Sequence, residues 1–222
     1  MQTRPSTRTF GLTLPRPPVH ERAGGLAPLD PARYKGRMTQ SAPTLVIGGS
    51  VRARRLCIQV ADWVAAVGRE TSGGAFEVVD LKAWPLPLDD EPGIPAAGGY
   101  VQDHTRAWSE KITSAGALIF VTPQYNWGYP AALKNALDHL FTEWAGKPAM
   151  IVTYGGHGGG KCAEQLQQVV EALHMKLAPT MPAFTLPRAV IEANVGQIDP
   201  AALFADHLPV LKQALGELAA RS

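Results

Sequence analysis

The chain has 222 residues, 45% of them apolar, two cysteines and a formal net charge of +2. That length suffices for one sizeable α/β domain with its own core. The charge argues against a dedicated nucleic-acid surface, the two cysteines against a disulfide framework, and the longest apolar runs fall far short of the ~20 residues a membrane span needs.

Residues 1–37 carry seven basic side chains against Glu21 and Asp30, a net of +5, which leaves the remainder mildly acidic at −3. Residues 1–41 hold six prolines and sustain neither a helical nor a strand period. Such a stretch cannot bury enough surface to offset chain entropy. It is read as a disordered N-terminal extension, with Met38 as the effective start and the folded domain over 42–222.

Thr44–Gly48 reads as a short buried strand. A loop, Gly49 to Arg55, leads into a helix with Leu56, Val60, Trp63, Val64 and Val67 on one face. Phe76–Leu81 alternates only in part, which suits a strand at or near a sheet edge. A Pro- and Asp-rich loop, Pro85 to Pro95, precedes a helix from about Gly99 to Thr113. Ala117–Thr122 is the central strand. A loop follows, and Pro130 opens a helix that places Leu133, Ala136, Leu137, Leu140 and Phe141 on one stripe. Pro148–Tyr154 is the next strand, followed by a glycine loop and a helix with Cys162, Leu166, Val169, Val170 and Leu173 on its stripe. Cys57 and Cys162 both fall on apolar stripes and are read as core side chains. Residues 178–186 give a last strand, which Pro182 confines to an edge. Asp199-Pro200 starts the final helix, with a kink expected at Pro209.

Strand and helix alternate throughout, so the prediction is a parallel sheet with helices on both faces. Five strands favour the flavodoxin-like order 2-1-3-4-5. Three unusual loops then follow strands 1, 3 and 4. These strands are adjacent in that order, so the loops converge at the carboxyl edge of the sheet.

In the first loop, Ser50, Arg52 and Arg55 stand beside the free N–H groups of a helix start, an arrangement that suits a phosphate. An ordinary helix start with solvated arginines is the other reading. The second loop, Pro123 to Tyr129, offers amides from Gln124 and Asn126 and flat surfaces from Tyr125, Trp127 and Tyr129. A planar, polar-edged ring needs that mixture. The third, Tyr154 to Gly160, has five glycines that leave backbone amides uncovered. His157 reads as a plain polar loop residue rather than an acid, and Lys161 as a solvated first-turn residue. No paired carboxylates, catalytic triad or metal-ligand spacing stands out.

Pro123-Gln-Tyr-Asn126 with Gly128-Tyr-Pro130 and the helix to Asp138, Gly49-Ser50-x-Arg52-x-x-Arg55, and Tyr154-Gly155-Gly156 together resemble the NADPH-dependent FMN reductase family over about residues 43–190. The resemblance implies that Ser50, Arg52 and Arg55 hold the FMN phosphate. It implies that Pro123, Gln124, Tyr125, Asn126 and Trp127 line the isoalloxazine ring, and that Tyr154, Gly155 and Gly156 close its pyrimidine side. Gln124 stands where the family often has Glu, and Arg55 where many members have Ser. By the same resemblance, NADPH or NADH passes hydride to N5 of FMN, and a quinone-, azo- or flavin-type acceptor then takes the same place, a ping-pong cycle without a catalytic side chain. A homodimer or homotetramer located in the cytoplasm is implied as well. The alternatives are a flavodoxin-like electron carrier and a non-catalytic FMN-binding regulatory module. Such carriers are typically far more acidic than a body near −3.

Overall fold

Uninterrupted apolar runs form the middle of the sheet. The computed structural model describes residues 42–88 and 90–221, so the expected disordered extension and the start at Met38 lie outside the described residues. Strand β3 (Ala117–Pro123) is buried along its whole length. It lies between β1 (Thr44–Gly48) and β4 (Pro148–Gly155). A strand buried on both faces needs apolar residues at every position, and Ala117–Val121 supplies them. Strand β2 (Phe76–Asp80) flanks β1 at one margin. The order is β2-β1-β3-β4-β5, all pairs parallel, as the alternation predicts.

The fifth position differs from expectation. It is not one strand over 178–186 but two short pieces, β5 (Lys176–Leu177) and β6 (Ala183–Thr185), each pairing with β4. Pro179 and Pro182 lie between them and donate no ladder hydrogen bond, so the strand breaks there. The Pro182 carbonyl still accepts from Thr153 N, at 2.9 Å.

The pleat sends alternate side chains to two cores. Val46, Ile119, Val121, Met150 and Val152 meet α1 (Cys57–Ser72) and α7 (Leu208–Ala219). Leu45, Ile47, Leu118, Phe120 and Ile151 meet α2 (Asp103–Thr113), α3 (Ala131–Asp138) and α4 (Gly160–Ala172). Cys57 and Cys162 are fully buried, as their stripes predict.

Three boundaries are revised. The α2 helix starts at Asp103, not Gly99. The α3 helix stops at Asp138, so Phe141 lies beyond it and is 37% exposed rather than buried. Two indoles take carbonyls at that end: Trp108 Nε1 donates to Ala136 O at 2.8 Å, and Trp144 Nε1 to Leu137 O and Leu140 O at 3.1 and 3.2 Å. The groups a helix end leaves unpaired are thereby satisfied inside the core. Finally, Asp199 caps α6 (Pro200–Leu203) by accepting from Ala201 N and Ala202 N, but no kinked helix follows. A 3-10 turn at 205–207 intervenes, and Pro209 sits in the first turn of a separate α7. A short helix absent from the sequence reading, α5 (Arg188–Ala193), follows β6.

Candidate functional site at the carboxyl edge of the sheet

The three loops meet, and Tyr125 joins the first two. Its phenol oxygen lies 2.8 Å from Ser50 Oγ, and the Arg52 guanidinium carbon stands 3.6 Å above its ring. Ser50 is fully buried beneath the loop. Gln124 joins the second loop to the third: its N–H donates to Tyr154 O at 3.0 Å. The Gln124 side-chain carbonyl accepts from Cys162 N in the first turn of α4, at 3.1 Å. That acceptor therefore serves the helix start.

The first loop has anion-binding character. The α1 helix begins without a side-chain cap and without an acidic residue in its first turn. The amides of Val51, Ala53 and Arg54 make no hydrogen bond among the described residues. Arg55 pairs with Asp80 at the end of β2, yet its Nε is buried with no partner. A buried donor left unpaired costs about 1–3 kcal/mol, so an acceptor at this place would be stabilising.

The second loop is a tight turn. Tyr125 and Gly128 exchange backbone hydrogen bonds of 2.8 and 3.0 Å. The two central residues, Asn126 and Trp127, have φ of 48° and 72°. Asn adopts that left-handed region with little penalty; a bulky aromatic does not. Trp127 is nevertheless 66% exposed, so core packing does not account for it.

In the third loop, Gly159 opens α4 at φ 92°, and a Cβ there would lie 2.7 Å from Thr153 Cβ. Only glycine fits. Thr153 Oγ1 donates to Gly158 O at 2.8 Å and holds the loop against β4. The amides of Gly156 and His157 make no hydrogen bond among the described residues. His157 is exposed and Lys161 pairs with Glu164 at the surface, consistent with solvated roles for both.

Between the loops lies a cavity of about 320 Å³. Arg52, Arg55, Pro123, Gln124, Tyr125, Tyr154, Gly155 and Gly156 line it. Ser50, Asn126 and Trp127 do not. The opposite wall escaped the sequence reading: Leu186, then Val190 and Ile191 of α5, then Asn194 to Gln197. This wall is anchored, since Gln59 donates to Gly196 O at 2.9 Å and accepts from Ile198 N at 2.7 Å. Its only sequence signal is a small apolar cluster after Pro187, too short to show a period. A second hollow, of about 650 Å³, lies between α3 and the loop before α2 and shares no lining residue with the first.

Neither Tyr154, which lines the cavity, nor Cys57, buried outside its lining, is an ionised nucleophile. Burial pushes the Cys57 thiol up to about 11 and the Tyr154 phenol well above its ordinary value. Both stay protonated at neutral pH. The cavity thus offers a cationic, amide-rich end, a flat aromatic and amide-rich flank, and no proton-transfer pair. Those properties suit a planar, anionic cofactor that brings its own chemistry.

The fold and the position of this cavity define a flavodoxin-like protein with its site at the carboxyl edge, beside the point where the strand order reverses. Among solved structures it is similar to FerB, a flavoenzyme NAD(P)H:(acceptor) oxidoreductase from Paracoccus denitrificans, with a TM-score of 0.59, 19% identity, and coverage of 82% of this chain and 99% of that one. Residues 43–187 match the NADPH-dependent FMN reductase family, and the chain belongs to that family of oxidoreductases. It is 57% identical to an NAD(P)H-dependent FMN reductase of Schizosaccharomyces pombe over 175 residues, 78% of this chain and 86% of that protein. It is 31% identical to a quinone reductase of Escherichia coli over 153 residues, 65% of this chain and 76% of that protein. Among the described residues no helix is long and apolar enough to cross a membrane.

Proposed function

We propose that the protein is an FMN-dependent NAD(P)H oxidoreductase that reduces quinone-, azo- or flavin-type acceptors by a ping-pong cycle. The observation that carries this reading is the junction of an uncapped α1 start, with the orphaned Nε of Arg55, to a cavity flanked by Tyr125 and the glycine loop. These residues fit the cofactor. The phosphate would meet the α1 amides, Arg52 and Arg55, while Ser50 supports the loop from below through Tyr125. Pro123, Gln124 and Tyr125 would flank the ring, with Asn126 and Trp127 at its rim. The unbonded amide of Gly156 would face the pyrimidine edge, beside Tyr154 and Gly155, where negative charge is favoured. FMN, when bound, would supply the two-electron hydride chemistry between NADPH or NADH and the acceptor.

The protein's own part is to bind, orient and exclude water. The α5 wall and the Tyr125 turn line the same cavity, so donor and acceptor would occupy it in succession. That arrangement supports ping-pong order. The names of the relatives in Schizosaccharomyces pombe and Escherichia coli support NAD(P)H as donor and quinones among the acceptors. The reading includes a homodimer or homotetramer in the cytoplasm.

The test is anaerobic stopped-flow of the FMN-loaded protein. Bleaching of the flavin band by NAD(P)H, followed by recolouring with a quinone, is expected. A flavin that no nucleotide bleaches would leave only the binding-module reading, and an accumulating one-electron-reduced species would favour the carrier.

A further inference from the structure

A second constellation lies at the far end of α3, one helix length from the aromatic turn, or about 12 Å at 1.5 Å per residue. Asp90 comes from the long loop between β2 and α2, His104 from the first turn of α2, and His139 from the residue after α3. One ligand atom of each lies within 4.8 Å of the others. His104 Nε2 is 2.9 Å from Asp90 Oδ1, and the two imidazole rings stand nearly perpendicular with centroids 5.8 Å apart.

The orientation of His139 is the informative detail. The residue is 5% exposed, and its Nε2 lies 2.8 Å from the Pro87 carbonyl oxygen. A carbonyl can only accept, so the proton of the neutral ring resides on Nε2. Nδ1 then carries the lone pair, with only the Thr105 hydroxyl 3.2 Å away. A backbone carbonyl that fixes the tautomer and aims the other nitrogen is the usual support of a metal-ligating histidine. The partners are also permissive: the side chains of His104 and Asp90 are 25% and 31% exposed and can turn. Ligands about 2.0–2.1 Å from a tetrahedral ion are ~3.3 Å apart, so rotations of those two side chains would close the set.

We propose that Asp90, His104 and His139 form a site for a borderline divalent cation, Zn²⁺ by preference, separate from the flavin cavity. Two imidazoles and one carboxylate suit Zn²⁺, Co²⁺ or Ni²⁺, whereas Ca²⁺ and Mg²⁺ need oxygen sets. Water completes the shell. The ion ties the loop to both helices. Glu91, next to Asp90, already pins that loop by accepting from Val101 N and Gln102 N at 3.0 Å each, and adds negative charge nearby. The competing account is a plain hydrogen-bonded clasp.

Calorimetry with Zn²⁺ on chelator-treated, tag-free, FMN-loaded protein decides between them. One equivalent per chain is expected. His104→Gln leaves an amide able to donate to Asp90 but removes the ligand nitrogen, and it should raise Kd by about 100-fold or more, as should Asp90→Asn. FMN reduction by NAD(P)H should be unchanged in both variants. Hydrogen exchange of residues 90–102 should slow when Zn²⁺ is added to the wild type and not in His104→Gln. Equal Zn²⁺ binding by wild type and His104→Gln, or no saturable binding by the wild type, overturns the proposal.

Discussion

Trp127 offers a test of backbone strain free of the usual confusion with lost contacts. Its φ of 72° places a bulky residue in the left-handed region, at the second central position of a two-residue turn. That conformation costs a non-glycine residue about 1–2 kcal/mol, whereas glycine there forfeits about 0.5–1 kcal/mol of chain entropy instead. Comparing Trp127→Gly with Trp127→Ala removes the same indole twice and isolates the backbone. The Gly variant, which places glycine after Asn126 in the pair favoured for such turns, should be the more stable by about 0.5–1 kcal/mol. For a domain of this size that is a Tm difference of about 1–4 °C, read by calorimetry or circular dichroism. Both variants should retain FMN, since the indole is 66% exposed and lies off the cavity wall. Both should be impaired in turnover with NAD(P)H or acceptor. An Ala variant as stable as the Gly variant would show that the turn is unstrained and would remove the reason for regarding the exposed tryptophan as functional.

Further outcomes are expected. Arg52→Ala should weaken FMN binding by about 10–100-fold, the equivalent of one charge-assisted contact of ~1.5–3 kcal/mol, in a fluorescence titration of the apoprotein. Gly159→Ala should destabilise by more than about 1 kcal/mol in urea unfolding, because the added Cβ meets Thr153 and the φ of 92° disfavours it. Glu217 accepts from Gln213, Thr180 N and Thr180 Oγ1, which together hold its carboxyl below the usual range. A carboxyl lowered in the folded state contributes stability above its unfolded pKa and loses it as pH falls through the folded one. Glu217→Gln should therefore melt below wild type at pH 7, and the gap should close in acid. A gap that persists in acid would mean that the charge is immaterial.

The sheet order was legible because Ala117–Val121 is apolar without interruption while Phe76–Asp80 is not, which separates a central strand from a marginal one. The three loops were legible because each breaks composition sharply at a strand end. The end of α3 was not. The stripe through Leu140 and Phe141 continues in sequence, but the helix yields to two indoles, one from α2, that take its last carbonyls. The fifth strand failed at Pro179 and Pro182 because one proline suits an edge and two break it. The α5 wall was invisible, six residues being too few to show a period. Asp90, His104 and His139 were invisible for another reason: they lie on separate elements, and only packing of α2 against the end of α3 unites them.

The interruption in the fifth strand bears on how the sheet meets other chains. An exposed, straight strand margin is a template for edge-to-edge aggregation. Here one margin consists of pieces of two and three residues separated by prolines. The other, β2, carries Glu77, paired with Lys111, and ends in Asp80, held by Arg55. Neither margin offers a second molecule a long neutral ladder to extend. Intermolecular growth of the sheet is thus disfavoured at both ends, on one side by broken register and on the other by charge.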